Sequence, residues 1–383
     1  MIYLDNSATT RPFDSVIEVM SECMRNAYFN ASAAYKPAVD VDRALRGCRK
    51  AIASQTGAQE DEVYFTSGGT ESDNLAILGT ATLLRKPQNF VCSVIEHPAV
   101  LETIRRVEAM GHEVRLMPID QNGVVDLAAC EALFDENTAF VSCMQVSNET
   151  GAVQPVAEIA RMAKAKNRNA RVHVDGVQGF MRVPMHMGKM GVDMYALSAH
   201  KIHGPKGVGA LIVRKGVRLA PQETGGGQEK NLRSGTYNAP GIIGLGEAVN
   251  CMAAQRAKLA EIRAMKARLW EKLSVLDGVR LNGMPADDEN SAPHILSVSF
   301  DGVRGEVMRN AREGMGTQVS TGSACASHKQ KVSQTLKAMG LTGEQADGTI
   351  RISLGMMNSM KEMDEAAAQM EKIYMQLKAY RRR

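Results

Sequence analysis

The stretch DMYALSAHKIHGPKG, residues 193–207, joins an apolar strand pattern to a lysine that stands between two histidines. The run at 193–198 predicts a buried β-strand, and Lys201 follows three residues after its end. Gly204 and Pro205 predict a sharp turn beyond the lysine. Because ligands bind outside the carboxyl ends of strands in open parallel sheets, Lys201 is expected at a ligand-binding edge. A lysine held there can lose its proton and act as an amine nucleophile.

Similar apolar, β-branched runs recur through the first two thirds of the chain and alternate with longer amphipathic stretches. This alternation is typical of βαβ units and predicts an α/β fold. Helix-like stretches occur at 71–84, 99–110, 127–134 and 156–167. The predicted strands are 63–66, 90–95, 113–118, 140–146, 171–175, 193–198 and 208–213.

A second, smaller α+β domain is predicted towards the end of the chain. A long helical pattern at 240–276 leads into strand patterns at 296–300 and 349–354, and then into a terminal amphipathic helix. We expect a large domain over residues 15–255 and a small domain formed by residues 1–14 and 256–383. The small domain is expected to carry Cys325 on a mobile loop at about 320–335, because that stretch is rich in glycine, serine and alanine.

Composition and charge argue against several classes of protein. The 383 residues include 46 lysines and arginines against 42 aspartates and glutamates, and the net charge of +4 is too small for a nucleic-acid-binding protein. No secretory leader pattern opens the chain, and no apolar run reaches the ~18 residues of a membrane span. The seven cysteines contain no CxxC pair, so neither a disulfide framework nor a metal site is expected. We therefore expect a cytoplasmic protein in a reducing compartment.

Polar residues follow the ends of the other predicted strands. SGGTES at 67–72, before a helical pattern, predicts an anion-binding cup, although a plain helix cap explains the same residues. His97 either stacks on a ring and moves protons or is simply a surface histidine. Asn148 either hydrogen-bonds a ligand or only holds a turn. Asp175 ends a buried strand and needs a cationic partner, and Gln178 follows closely enough to reach the same ligand.

An amine nucleophile, an anion cup and a buried carboxylate match an aldehyde, a phosphate and a basic pyridine nitrogen. Pyridoxal phosphate is the common cofactor that needs all three. Lys201 is predicted to bind the aldehyde, Thr70 and Ser198 the phosphate, and Asp175 the ring nitrogen. Lys206 competes for the role of Lys201, but its Gly-Pro-Lys-Gly setting predicts a surface turn.

Nine motifs resemble, in order and spacing, those of the NifS/IscS-like cysteine desulfurases, a class V group of the fold-type I pyridoxal-phosphate enzymes. The resemblance covers nearly the whole chain. It implies a large domain with a mainly parallel seven-stranded sheet between helices, plus a smaller α+β domain. The motifs are YLDNSATT (3–10), SGGTESDN (67–74), EHPAVL (96–101), SNETG (147–151), HVDGVQ (173–178), SAHKIHGPKG (198–207), GGGQE with RSGT (225–236), GSACAS (322–327) and RISLG (351–355).

The resemblance implies a role for each strand-end residue. Lys201 forms the Schiff-base link to the cofactor, and His97 stacks on the ring and helps proton transfer. Gln178 forms a hydrogen bond with the phenolic oxygen of the cofactor. Asn148 and Arg351 hold the substrate carboxylate, which suits the planar, two-pronged guanidinium. Phosphate contacts are expected from Gly69, Thr70, Ser198, His200 and, across a homodimer interface, Thr236.

Cys325, within GSACAS, is implied to be the nucleophile that removes sulfur. Its thiolate attacks the sulfur of L-cysteine, which leaves a persulfide on the enzyme and releases L-alanine. The sulfur then passes to an acceptor protein, either an iron–sulfur scaffold or an enzyme that thiolates tRNA or cofactors. An inert thiol in a flexible loop is the alternative, which is disfavoured because an exposed thiol without a use is liable to oxidation.

Two departures from the family pattern bear on substrate access or partner docking and on the identity of the sulfur acceptor. Residues 29–38 read FNASAAYKPA and lack the usual glycine, proline and histidine, and residues 328–332 are more basic than expected. A selenocysteine lyase would use the same lysine, ring and cysteine. A class V aminotransferase would not need Cys325, and a binding or scaffold protein without catalysis would not need Lys201 or Arg351.

Overall fold

The computed structural model describes residues 1–321 and 333–381. Seven strands form its central sheet: β2 (Val63–Thr66), β3 (Asn89–Ser93), β4 (Glu113–Met117), β5 (Thr138–Ser142), β6 (Arg171–Asp175), β7 (Met194–Ser198) and β8 (Gly209–Val213). Their order is β2-β8-β7-β6-β5-β3-β4. The pairs from β7 to β4 are parallel, and β8 runs antiparallel to both β2 and β7. The predicted mainly parallel seven-stranded sheet is confirmed.

Both faces of this sheet are buried except along the edge strand β4, as in other parallel sheets covered by helices. Successive residues of a strand belong to different apolar clusters, because side chains alternate across the sheet. Val91 and Val141 pack in one cluster, whereas Phe90 and Phe140 stack on each other in the other, with ring centroids 5.3 Å apart. The strands therefore read as near-continuous apolar runs, which is why the sequence located all seven.

Eight helices accompany the strands up to residue 254: α1 (Asp14–Asn26), α2 (Lys36–Thr56), α3 (Gly69–Ala81), α4 (Pro98–Ala109), α5 (Leu127–Cys130), α6 (Val156–Lys166), α7 (Met187–Met190) and α8 (Ala239–Ala254). The helices predicted at 71–84, 99–110 and 156–167 correspond to α3, α4 and α6. The segment predicted at 127–134 is α-helical only in α5 and continues as a 3-10 turn over Glu131–Leu133.

The single long helix predicted at 240–276 is wrong. The structure has α8 and then a separate helix, α9 (Lys258–Ser274), with a break at residues 255–257. The two helices have different packing partners, because α8 lies against α1 and α2 whereas α9 lies against the terminal helix α13 (Met360–Arg381). A continuous helix of this length would carry its second half away from that partner.

A second, antiparallel sheet lies towards the end of the chain. Its strands are β9 (Val279–Asn282), β10 (Ile295–Phe300), β12 (Ser320–Thr321) and β13 (Thr349–Ser353), in the order β12-β13-β10-β9. Two further strands, β1 (Ile2–Tyr3) and β11 (Thr317–Gln318), pair in parallel. The short helices α10 (Gly305–Glu313), α11 (Gln334–Ala338) and α12 (Gly343–Asp347) complete the described elements. Within the two described ranges, no helix combines the length and apolar character needed to cross a bilayer.

The N-terminal segment is attached to the second sheet. The amide of Ser353 donates to the carbonyl of Leu4 at 2.7 Å, and the amide of Ser7 donates to Ser353 Oγ at 2.8 Å. The Asn6 side chain adds a 3.0 Å hydrogen bond to the Ser353 carbonyl. Residues 4–8 are thereby held by the end of β13, next to the carboxyl edge of the central sheet.

Candidate active site

Strand register brings the ends of the central strands to one edge. Thr66 at the end of β2 and Ser198 at the end of β7 both lie opposite Gly209. The parallel strands β3, β5 and β6 end at the same edge as β7. Residues that follow strands far apart in sequence therefore meet in space, as expected for this class of sheet.

A cavity of about 260 Å³ opens at this edge. Ten of the twelve predicted site residues line it, and the second sheet contributes one of them, Arg351. The ten are Gly69, Thr70, His97, Asn148, Asp175, Gln178, Ser198, His200, Lys201 and Arg351.

Lys201 lies in a 3-10 turn directly after β7, three residues past its last strand residue. Its Nζ donates to the carbonyl oxygens of Ser7 at 2.5 Å and Ala8 at 2.9 Å. The amine thus lies inside the cavity against the N-terminal segment. Lys206, the competing lysine, is exposed in the turn that follows.

Asp175 is the last residue of β6 and is buried, with 6% of its surface exposed. Burial raises the pKa of its carboxyl, while His97 and Lys201 nearby oppose that increase. Its Oδ1 accepts from the amide of Val177 at 2.9 Å. Among the ion pairs between described residues none includes Asp175, so this carboxylate suits a cationic group within the cavity.

His97 caps the N-terminus of α4, where its Nδ1 accepts from the amide of Ala99 at 3.1 Å. This bond leaves Nε2 as the nitrogen that carries hydrogen in the neutral ring. Burial lowers the pKa of His97, Asp175 raises it and Lys201 lowers it further. The imidazole is therefore fixed in orientation and neutral near pH 7.

The predicted anion cup consists of the N-terminus of α3 together with Ser198 and His200. A Cβ added to Gly69 would lie 2.6 Å from Val177 Cγ2, so only glycine allows the backbone so close to its neighbour. His200 is neutral, because burial lowers its pKa to about 4, and its Nδ1 lies 3.1 Å from Thr9 Oγ1. Free N–H groups of a helix start and a hydroxyl are donors suited to phosphate.

Arg351 on β13 is buried and reaches across to the large sheet. Its Nη1 donates to the Asn148 carbonyl at 2.9 Å and its Nη2 to Asp5 Oδ1 at 3.0 Å. Its Nε has no hydrogen-bond partner among the described residues. A guanidinium that two hydrogen bonds hold in place, and whose Nε can still donate, suits a carboxylate ligand.

Residues 2–365 match the aminotransferase class V family. The chain belongs to this family. It is 40% identical over 372 residues to a protein named cysteine desulfurase IscS from Klebsiella pneumoniae subsp. pneumoniae, covering 95% of this chain and 90% of that one. It is 37% identical over 379 residues to the cysteine desulfurase IscS of Methanosarcina thermophila, covering 98% and 93%. A solved structure described as a NifS-like protein superposes with a TM-score of 0.90 at 38% identity, over 98% of this chain and 99% of that chain.

Class V aminotransferases depend on pyridoxal phosphate, which confirms the predicted cofactor. The residues present fit the group at each of its ends. The cavity offers an amine at Lys201, a buried carboxylate at Asp175 and the glycine cradle at Gly69. A class V aminotransferase needs these three features together.

Two predicted residues are not among those that line the cavity. Thr236 is exposed, in the loop before α8. Cys325 lies outside the described residues, as does most of the loop predicted at 320–335. The predicted roles of all twelve residues stay predictions.

Sequence reasoning missed Ser7, Ala8 and Asp73, which line this class V site, and Glu96, which is buried beside it. Ser7 and Ala8 line the cavity, yet they come after a two-residue strand that no periodicity indicates. Asp73 lines it from the second turn of α3, and Glu96 is buried just before His97. Both lie within quoted motifs, so a search for carboxyls in apolar surroundings would have found them.

Proposed function

We propose that this protein is a pyridoxal-phosphate-dependent L-cysteine desulfurase that releases L-alanine and leaves the sulfur as a persulfide on Cys325. The observation that carries the proposal is the shared cavity of Lys201, Asp175 and Arg351. It provides an amine, a partner for a cationic ring and a carboxylate binder within one space. The IscS names of the relatives support cysteine as the amino acid.

Cofactor binding would use the carboxyl edge of the central sheet. Lys201 would hold the aldehyde carbon and Asp175 the ring nitrogen, and His97 would pack on the ring. Gln178 would donate to the phenolic oxygen. The phosphate would be bound by Gly69, Thr70, Ser198 and His200, with Thr236 of a second copy. When bound, the cofactor supplies an electron sink that makes the Cα proton of the substrate acidic.

The remaining steps belong to the chain itself. Arg351 and Asn148 orient the substrate through its carboxylate, which places Cα beside Lys201. The Lys201 amine takes the Cα proton and returns it later, as a general base and then an acid. The Cys325 thiolate attacks the substrate sulfur, so a sulfur–sulfur bond forms while the carbon–sulfur bond breaks. Cysteine and one thiol thus become alanine and one persulfide, without any external oxidant or reductant.

We infer two domains with the predicted bounds, 15–255 and 1–14 with 256–383. The break between α8 and α9 at residues 255–257 supports the boundary. The attachment of the N-terminal segment to β13 supports its assignment to the small domain. The substrate would then bind where the two domains meet.

A homodimer is part of the proposal. Thr236 is exposed, which is consistent with a contact made to a second copy rather than to its own cavity. Large apolar side chains on α1 and just after it are also exposed: Ile17 by 49%, Met24 by 57% and Tyr28 by 70%. We also propose a cytoplasmic location and an acceptor that is an iron–sulfur scaffold or a thiolation enzyme.

The test is to incubate the purified protein and pyridoxal phosphate with L-cysteine, and separately with L-selenocysteine. We expect one alanine per sulfur released, and a mass increase of one sulfur atom on Cys325 in peptide mass spectra. Alanine from L-selenocysteine alone would indicate a selenocysteine lyase. No alanine from either amino acid, despite bound cofactor, would indicate a binding protein instead.

A further inference from the structure

His294 immediately precedes β10 and contacts the site from behind. It is fully buried, with 0% of its surface exposed, and it does not line the cavity. Its Nε2 lies 3.4 Å from Oε1 of Gln178, and Nε2 of Gln178 donates to the Ser7 carbonyl at 3.0 Å. A chain of two hydrogen bonds therefore runs from His294 through the Gln178 amide to the N-terminal segment.

These two hydrogen bonds determine which atoms of Gln178 and His294 carry hydrogen. A main-chain carbonyl only accepts, so the nitrogen of the Gln178 amide must face Ser7. The amide oxygen then faces His294, which must donate from Nε2. The other ring nitrogen, Nδ1, has no partner among the described residues and carries no hydrogen in the neutral ring. Only the Nε2–H tautomer of His294 can donate to the Gln178 amide oxygen.

The surroundings keep that ring neutral. Burial lowers the pKa of His294 well below its ordinary value, and the charged neighbours that act on it lower the pKa further. These neighbours are cations from four parts of the chain: Arg182, Lys266, Arg351 and Lys201. A second proton on the ring would face all four, so the Nε2–H tautomer persists across the working pH range.

We propose that His294 is a positioning residue that locks the Gln178 amide so that its N–H, and not its oxygen, is presented to the cofactor. The inference rests on the proposed function, in which Gln178 binds the phenolic oxygen of pyridoxal phosphate. With its oxygen held by His294 and one N–H held by Ser7, the amide has its second N–H left for an acceptor in the cavity. The amide presents a donor to an oxygen that carries negative charge.

The Ser7 carbonyl accepts from both Gln178 and Lys201, so the hydrogen bonds that hold Gln178 also reach the Lys201 amine. Gln178 and the Lys201 amine are thus positioned by the same main-chain atom. Loss of the His294 donor frees the amide to rotate and weakens the bond to Ser7 as well. The cofactor would then lose a donor to its oxygen without any change in the residues that touch it.

Three variants of the full-length protein test the inference through the bound cofactor. In His294→Leu we expect pyridoxal phosphate to bind about 3- to 10-fold more weakly, the loss of one modest hydrogen bond. We also expect a higher pH midpoint for the change in visible absorption, because an oxygen without its donor keeps more negative charge beside the linked nitrogen. His294→Gln retains a donor and should restore both values. His112→Leu removes another buried histidine that does not line the cavity and should match the unchanged protein.

A measurement on the histidine ring completes the test. The NMR signals of the His294 ring in ¹⁵N-histidine-labelled protein are identified as those that disappear in His294→Gln. They should show a protonated Nε2 and an unprotonated Nδ1, without change between pH 5.5 and 8.5. An Nδ1–H tautomer or a titrating ring would overturn the inference. So would a His294→Leu variant whose cofactor affinity and absorption midpoint equal those of the unchanged protein. If the unchanged protein fails to bind pyridoxal phosphate, the proposed function fails first, and the ring signals still decide whether the lock exists.

Discussion

The amine of Lys201 lies 2.5 Å from the carbonyl oxygen of Ser7, although 194 residues separate them in sequence. This hydrogen bond places the Lys201 amine against the N-terminal segment, whose Ser7 carbonyl also accepts from Gln178. The N-terminal segment is therefore a wall of the site, and the position of the amine depends on it.

Lys201→Ala should abolish turnover of L-cysteine. The variant loses both the attachment point of the cofactor and the general base, so we expect cysteine-dependent alanine formation to fall by at least ~1,000-fold. Lys206→Ala, which changes the exposed lysine five residues later, is the matched control and should retain activity. Borohydride reduction followed by mass spectrometry checks the assignment. A reducible cofactor adduct that persists in Lys201→Ala would place the linkage on another lysine.

Cys325→Ser should separate cofactor binding from sulfur release. Because the hydroxyl is a far weaker nucleophile than a thiolate, we expect sulfide release in the presence of a reductant to fall by at least ~100-fold. The yellow colour of the bound cofactor should remain. Cys251→Ser changes a half-buried thiol on α8 and serves as the control. Unchanged sulfide production in Cys325→Ser would exclude the persulfide mechanism.

Arg351→Lys should affect the substrate more than the cofactor. Lysine keeps the positive charge but loses the fork that bonds Asp5 and the Asn148 carbonyl. We expect KM for L-cysteine to rise about 10- to 100-fold, the value of one charge-assisted hydrogen bond or more, while the affinity for pyridoxal phosphate stays within about threefold. Arg280→Lys, which changes an arginine on β9 that forms an exposed pair with Asp301, is the control. An equal loss of cofactor affinity would place Arg351 at the cofactor instead.

Glu96 should make stability depend on pH. Burial raises the pKa of its carboxyl from 4.5 to about 8, against hydrogen bonds from Ser93, Ser142 and the amide of Met144 that lower it. Between about pH 4.5 and 8 the folded state therefore holds a proton that the unfolded state has lost. The free energy of unfolding then falls as pH rises through this window, by at most about 1.4 kcal/mol per pH unit.

Urea unfolding of Glu96→Gln between pH 5.5 and 8.5 checks this expectation. Glutamine is neutral throughout, so the variant should gain stability relative to the unchanged protein as pH rises. Glu102→Gln, whose side chain is 65% exposed beside Arg105, should show no such trend. Parallel curves for Glu96→Gln and the unchanged protein would mean that Glu96 is ionised in the folded state.

The central sheet was predictable because a run of consecutive apolar residues marks its strands in the sequence. Most strands are apolar runs covered on both faces, and the residue after each strand except the antiparallel β8 lies at the ligand edge. Lys201, Asp175 and His97 follow from that rule alone. Their convergence required only the parallel pairing that βαβ units impose.

Other features depend on packing between distant segments, which periodicity does not record. The break between α8 and α9 arises from two different packing partners, although the sequence pattern continues across it. Ser7 and His294 act through a main-chain carbonyl and a buried ring, and neither follows a predicted strand of the central sheet. The bonds of Arg351 to Asp5 and Asn148 likewise join three parts of the chain that only the fold brings together.

The parallel pairing of β1 with β11 has a consequence for synthesis. Ile2 and Tyr3 lie opposite Thr317 and Gln318, and Ser7 is anchored on Ser353, so these residues are synthesised long before their partners in the fold. Asp175 at the end of β6 and Lys201 just after β7 are made long before that. We therefore expect the N-terminal side of the cavity to stay unanchored until about residue 353 has been made, and cofactor capture to come late in the maturation of each molecule.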